Sequence, residues 1–171
     1  MARDQRTARG ESDETVGLAP DAATSHTVAA NQAAGKRVPD ASDLERVRRG
    51  HVASLSEAAI TSPEGKRVFG IAAYDFLREG APAPETVNPN LWRHAVLNAH
   101  HGLFKVAEGV WQVRGYDISN ITFIRGQSGW IVIDPLTSEH TARVSLQLVN
   151  DHIGHRPVTA VIYTHSHADH F

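Results

Sequence analysis

The 171-residue sequence contains no cysteine. Disulfides and thiolate metal sites are therefore excluded, and any metal chemistry must rest on imidazole and carboxylate. It also has no stretch approaching the roughly 18 apolar residues of a membrane span. A strong charge of either sign is missing too. The net charge is −2 and the pI about 6.6, so nothing points to nucleic acid or to a polybasic membrane surface. The amino terminus lacks the apolar stretch of a signal peptide, since Met1–Gly10 is Arg-rich and Glu11–Glu14 acidic. A cytoplasmic protein is expected. With 41% hydrophobic residues and a mean hydropathy of −0.31, one ordinary domain with a polar segment attached is expected.

What the sequence has in quantity is histidine, 11 in all. Three fall in Thr164-His-Ser-His-Ala-Asp-His170, directly after the apolar run Val158–Tyr163. That order predicts a buried strand leading into a loop whose side chains converge on metal. Neutral imidazole and carboxylate suit a borderline ion such as zinc. In an extended loop, His165 and His167 share one face and can bind one ion, while Ser166 points away. Asp169 and His170 follow a bend and can reach a second ion. Two ions so placed could activate one water between them. A surface histidine cluster without metal is the plainer alternative, but the position at the mouth of a strand favours metal.

The rest of the chain is expected to support that loop. Residues 1–40 carry no sustained apolar period and read as a disordered leader. Residues 41–103 read as a helical amino-terminal extension. In it, Ser42-Asp-Leu-Glu45 fits a capping box before a short helix over 44–49, with Arg46, Arg48 and Arg49 on its solvated face. Pro63-Glu-Gly65 marks a turn. Asn88-Pro-Asn90 starts a second helix, with Leu91 and Ala95 on one side, Trp92 and Val96 on the neighbouring one, and Gly102 as its stop. His94, His100 and His101 lie on or near this helix and read as surface or helix-end residues.

From Phe104 the pattern changes to strands, at 104–106, 110–114, 121–125 and 130–134, with turns at Glu108-Gly109 and Gly126–Gly129. Pro135 ends the last of these. A helix over 139–153 follows, capped by Thr137 or Ser138, with Ala142, Leu146, Val149 and Ile153 facing the core and Gly154 as its stop. Strand, helix, strand implies a parallel pair, with ligands at the carboxyl ends of the strands. Asp134 and His165 then share a rim. Asp134 either orients a metal ligand by hydrogen bonding or merely caps its own turn.

The order of antiparallel strands, Gly129-Trp-Ile-Val-Ile-Asp-Pro135, helix, apolar strand and His-x-His-x-Asp-His resembles the opening half of the metallo-β-lactamase superfamily. Thr86-Val-Asn-Pro-Asn-Leu-Trp-Arg93, His101–Val106, Trp111–Asp117, Asn120-Ile-Thr122 and Asp134-Pro-Leu-Thr137 are similar to the zinc alkylsulfatases, which hydrolyse alkyl sulfate detergents. The resemblance covers roughly 44–171. It implies an α/β chain of the αββα metallo-β-lactamase-like fold, with only its first half present at 104–171. It also implies a site with two zinc ions, His165 and His167 on one, Asp169 and His170 on the other, and Asp169 as the candidate catalytic residue. The implied substrate is a small alkyl sulfate, cleaved to alcohol and sulfate, and the implied assembly of an intact enzyme is a homodimer. Family members continue well past Phe171 with further ligands, so the chain is expected to be an amino-terminal fragment without activity of its own. Two alternatives stay open. One is hydrolysis of a thioester, lactone or phosphodiester on the same fold. The other is a non-catalytic metal-binding or dimerising product.

Overall fold

A computed structural model describes residues 21–35 and 42–171. Its centre is a six-stranded sheet with one helix, α4, packed across it. In chain order the sheet strands are β1 (His51–Ala53), β4 (Gly102–Ala107), β5 (Val110–Arg114), β6 (Ile121–Arg125), β7 (Trp130–Ile133) and β8 (Val158–Ile162). They lie side by side in that same order. Each pair is antiparallel except β7 and β8, which run parallel and are joined through α4 (Glu139–Ile153). A parallel pair requires such a crossover, as the strand–helix–strand pattern predicts.

Alternation along the strands sets the core. Trp111 and Val113 of β5, Ile121 and Phe123 of β6, and Trp130 and Val132 of β7 are all buried, while their neighbours in sequence are half-buried. The Trp130 ring meets Trp111 and Phe123 edge-on, with centroids 5.6 and 6.1 Å apart, an arrangement the ring quadrupoles favour. Its indole N–H donates to Asn150 Oδ1 at 2.9 Å, which fastens α4 to the sheet. Helix α4 is capped by Ser138, whose hydroxyl accepts from the Thr141 amide, and it stops at Gly154 with φ 134°. Of the expected stripe, Val149 is buried and Leu146 and Ile153 pack half-buried against the core, while Thr141, Ser145 and Leu148 are buried beside them. Thr141 is held inward by its hydroxyl donating to Asp117 at 2.7 Å.

The amino-terminal extension is more strand-like than expected. Besides α2 (Ser42–Arg48) and α3 (Pro89–Asn98), it supplies β1 at the sheet's edge and a separate hairpin of β2 (Ala59–Thr61) and β3 (Arg67–Gly70). The Pro63–Gly65 turn joins this hairpin. A short 3-10 turn follows at Ala72–Tyr74. Ser42 is the first residue of α2 rather than a cap ahead of it. Helix α3 is capped by Asn88 and ends at Asn98, four residues before Gly102. Gly102 opens β4 instead, opposite Arg114, with φ 138° and its backbone so close to Ala53 O that a side chain would collide with it. Within the stretch read as a structureless leader, α1 (Ser25–Ala34) is capped by Thr24 and held by Asn31 Nδ2 donating to Glu85 O at 2.7 Å. Residues 1–20 and 36–41 lie outside the described residues.

Strand β8 departs most from expectation. Its apolar sequence predicts burial, yet all five residues are exposed. It is the last strand of the sheet, with β7 on one side and nothing described on the other. Among the described residues, no helix is long and apolar enough to cross a membrane.

Candidate metal centre

The strand register lines up one rim of the sheet. Gly102 pairs with Arg114, Val113 with Ile121, Thr122 with Ile133, and Ile133 with Ile162. The loop after β5, the turn after β7 and the loop after β8 therefore emerge side by side. The histidine motif occupies the third of them.

The turn after β7 is held in an uncommon conformation. Asp134 and Leu136 have φ of 54° and 74°, values most side chains avoid, and both are buried. Such positions persist only where surrounding contacts over-determine them. Here the contacts are specific. The Thr164 amide donates to Asp134 Oδ1 at 2.8 Å, and the Thr164 hydroxyl donates to Oδ2 at 2.7 Å. Nδ1 of His170 lies 2.8 Å from the same Oδ2. Asp134 thus fastens both ends of the 164–170 loop, which favours the orienting role over a mere turn cap. Burial works against ionising Asp134. Hydrogen bonds from the Thr164 amide, from His170 and from the Thr164 hydroxyl outweigh it and hold the carboxyl below its ordinary range. The same contact with Asp134 raises the His170 imidazole above its usual value, against the pull of burial and with help from Asp169.

The four predicted ligands are brought together. His165 Nε2 lies 2.9 Å from His167 Nδ1, and the His165 and His170 rings are 4.1 Å apart at their centroids. Nε2 of His170 is 3.0 Å from Asp169 Oδ2. The loop is closed by a turn, with the His170 amide donating to His167 O at 3.0 Å. These donors touch one another, and among the described residues no group of three or more His, Asp or Glu side chains is arranged to hold an ion as it stands. The chemistry of the set nevertheless fits zinc. Three imidazoles and a carboxylate are clustered, with His170 Nδ1 turned to Asp134 and its Nε2 beside Asp169.

Two residues of the first rim loop escape a reading of motifs. Asp117 is buried and accepts from the Thr137 amide at 3.1 Å, from the Thr137 hydroxyl at 2.7 Å and from the Thr141 hydroxyl at 2.7 Å. It thereby fixes the turn that carries Asp134. Ser119, two residues on, donates to the Asp169 carbonyl. The loop after β5 thus clamps both the β7 turn and the metal loop. A lone Asp in Gly115-Tyr-Asp-Ile-Ser119 looks like turn chemistry, and no local signal pointed to its partners 20 and 24 residues away.

The other histidines lie away from this loop. His100 Nε2 sits 3.0 Å from Glu79 Oε1, and Arg48 pairs with the same carboxylate. His101 Nδ1 is 3.1 Å from the Tyr116 hydroxyl, which in turn accepts from the Leu55 amide at 2.7 Å. Neither contact is with the candidate metal loop.

Residues 114–171 match the metallo-β-lactamase superfamily. The chain is 48% identical over 147 residues to the alkyl/aryl-sulfatase BDS1 of Saccharomyces cerevisiae, covering 85% of this chain and 23% of that protein. It is 42% identical over 151 residues to a linear primary-alkylsulfatase of a Pseudomonas species, covering 87% and 22%. The structure of the stereoselective inverting sec-alkylsulfatase Pisa1, also from Pseudomonas, superposes with a TM-score of 0.80 at 43% identity. That match covers 88% of this chain and 24% of the Pisa1 chain. The chain thus spans about a quarter of the length of the relatives it matches.

Proposed function

The chain belongs to the alkylsulfatase family of the metallo-β-lactamase superfamily, and from that premise we propose that the protein hydrolyses alkyl sulfate esters to alcohol and sulfate at a site holding two zinc ions. The observation that carries this is the gathering of His165, His167, Asp169 and His170 on one sheet rim, anchored at both ends by Asp134. His165 and His167 would hold one ion, and Asp169 and His170 the other. When bound, the pair supplies an activated water and positive charge for the departing sulfate.

The remaining work falls to the chain itself. Asp134 orients the His170 imidazole, a role that carboxylates commonly play behind metal-binding histidines. Asp117 and Ser119 hold the two rim loops in register. Asp169 is set against His170, where it can serve as ligand and as the group nearest the reacting water. Four side chains are too few for two ions, since even a catalytic zinc takes three protein ligands. The 171 residues alone are accordingly inactive in this proposal, and an active protein carries further ligands at the relatives' full length. Action as a homodimer belongs to the same proposal and is supported by the family resemblance.

The test is sulfate release from dodecyl sulfate by protein of the relatives' length, beside a thioester, a lactone and a phosphodiester. Sulfate release at least about a hundredfold faster than the other hydrolyses is expected. Preferential turnover of one of the others would reassign the substrate within the fold. No turnover of any would favour a non-catalytic role.

A further inference from the structure

The rim that carries the metal loop also carries an apolar cleft between the amino-terminal extension and the sheet. It encloses about 310 Å³ and is lined chiefly by carbon, from Phe69, Ile71, Tyr74 and Leu77 of the extension together with Ala95, Ala99 and Ile118. That volume lies at the lower end of the range for small-molecule sites. The sheet register explains its location. His101 precedes β4, Gly115 follows β5, and both line the cleft at the end of the sheet from which the metal loop emerges. Gly115 has φ 75°, and a side chain there would collide with His101 Cβ, so the backbone comes close and keeps the floor narrow.

The cleft adjoins the candidate centre directly. Ile118 lines it, and the next residue, Ser119, donates to the Asp169 carbonyl. Two of its lining apolar side chains are open to solvent, Ile118 at 76% and Tyr74 at 47% exposure. Asp117 also lines the cleft, but both its oxygens are engaged by Thr137, Thr141 and the Ile118 amide. The walls therefore present mostly hydrocarbon, with Asn98 and His101 as further polar residues and no free carboxylate.

We propose that this cleft binds the alkyl chain of the sulfate ester, with Ile118 at its mouth beside the metal loop. The inference rests on the alkyl sulfate reading above. It assigns to the amino-terminal extension a substrate-binding role, with chain length read by the number of methylenes the cleft covers. Each methylene taken out of water should tighten binding by roughly fourfold.

The test reads binding alone, in the metal-free 171-residue chain, so its outcome is separate from that of the sulfatase assay. Backbone amide shifts are followed by NMR during titration with octane-1-sulfonate and butane-1-sulfonate, both below micelle formation. Octane-1-sulfonate should shift the amides of Ile71, Leu77, Ala99 and Ile118 and bind at least about tenfold tighter than the butyl compound. Ala95→Trp, which fills the cleft from α3, should abolish those shifts. Ile118→Ser, at an exposed position that tolerates change, should weaken them severalfold without altering the rest of the spectrum. Absence of binding, shifts centred elsewhere, equal affinity for the two chain lengths, or full binding by Ile118→Ser would each overturn the proposal.

Discussion

Asp117 and Asp134 are the residues on which the site's shape depends most. Asp117 satisfies two backbone amides and two hydroxyls from a buried position, so removing it strands several donors at once. Asp117→Ala should cost about 2–4 kcal/mol in urea unfolding, since each buried donor left unpaired costs about 1–3 kcal/mol and some recruit water. A loss below about 0.5 kcal/mol would contradict the clamp. His101 gives a pH signature. Burial depresses its imidazole below the ordinary 6.5, so between the depressed value and 6.5 the unfolded chain binds more protons than the folded one. Stability from this group is complete above that window and is lost as pH falls through it. His170, raised by Asp134, works in the opposite sense and must be kept in both proteins compared. Wild type should therefore lose more stability than His101→Phe between pH 7.5 and 5.5, measured by urea midpoints. An equal loss in both would remove His101 from the acid response.

At the scale of elements, helix α4 is fixed at one end by Ser138 and along its length by Asn150. Ser138→Ala removes the acceptor for the Thr141 amide and should lower stability by about 1 kcal/mol, read as a shift in thermal midpoint. No shift would mean that Thr141, held separately by Asp117, does not need the cap. The strands and this helix were legible in the sequence because period-two alternation and cap residues are local signals. Strands β1, β2 and β3 were not. Each has three or four residues, too short to show a period, and β1 exists only because β4 offers it an edge. The ending of α3 was misread for a related reason. Gly102 carries the sign of a helix stop and equally of a strand opening, and tertiary pairing with Arg114 decided it. The exposure of β8 was likewise invisible, since an apolar run states what a strand would bury but not whether a neighbour is there to bury it.

For the whole molecule, the sequence motif and the fold agree on one place. Local spacing named His165, His167, Asp169 and His170, and the sheet register delivers them to the rim shared with Asp134. What spacing could not name were the supports, Asp117 and Ser119, whose partners lie 20 to 50 residues away. The sheet also ends on a strand whose Val161 and Ile162 are exposed, beside Tyr163 and Phe171, so its apolar rim is unusually open for a folded unit. The four donors sit in that open region in contact with one another.

The most direct measurement is calorimetric titration of the 171-residue chain with zinc, alongside His165→Ala and His170→Ala. Weak binding of fewer than two ions, lost or strongly reduced in both variants, is the expected result. Undiminished zinc binding by the variants would contradict the metal centre, and tight binding of two ions by the chain alone would contradict its incompleteness.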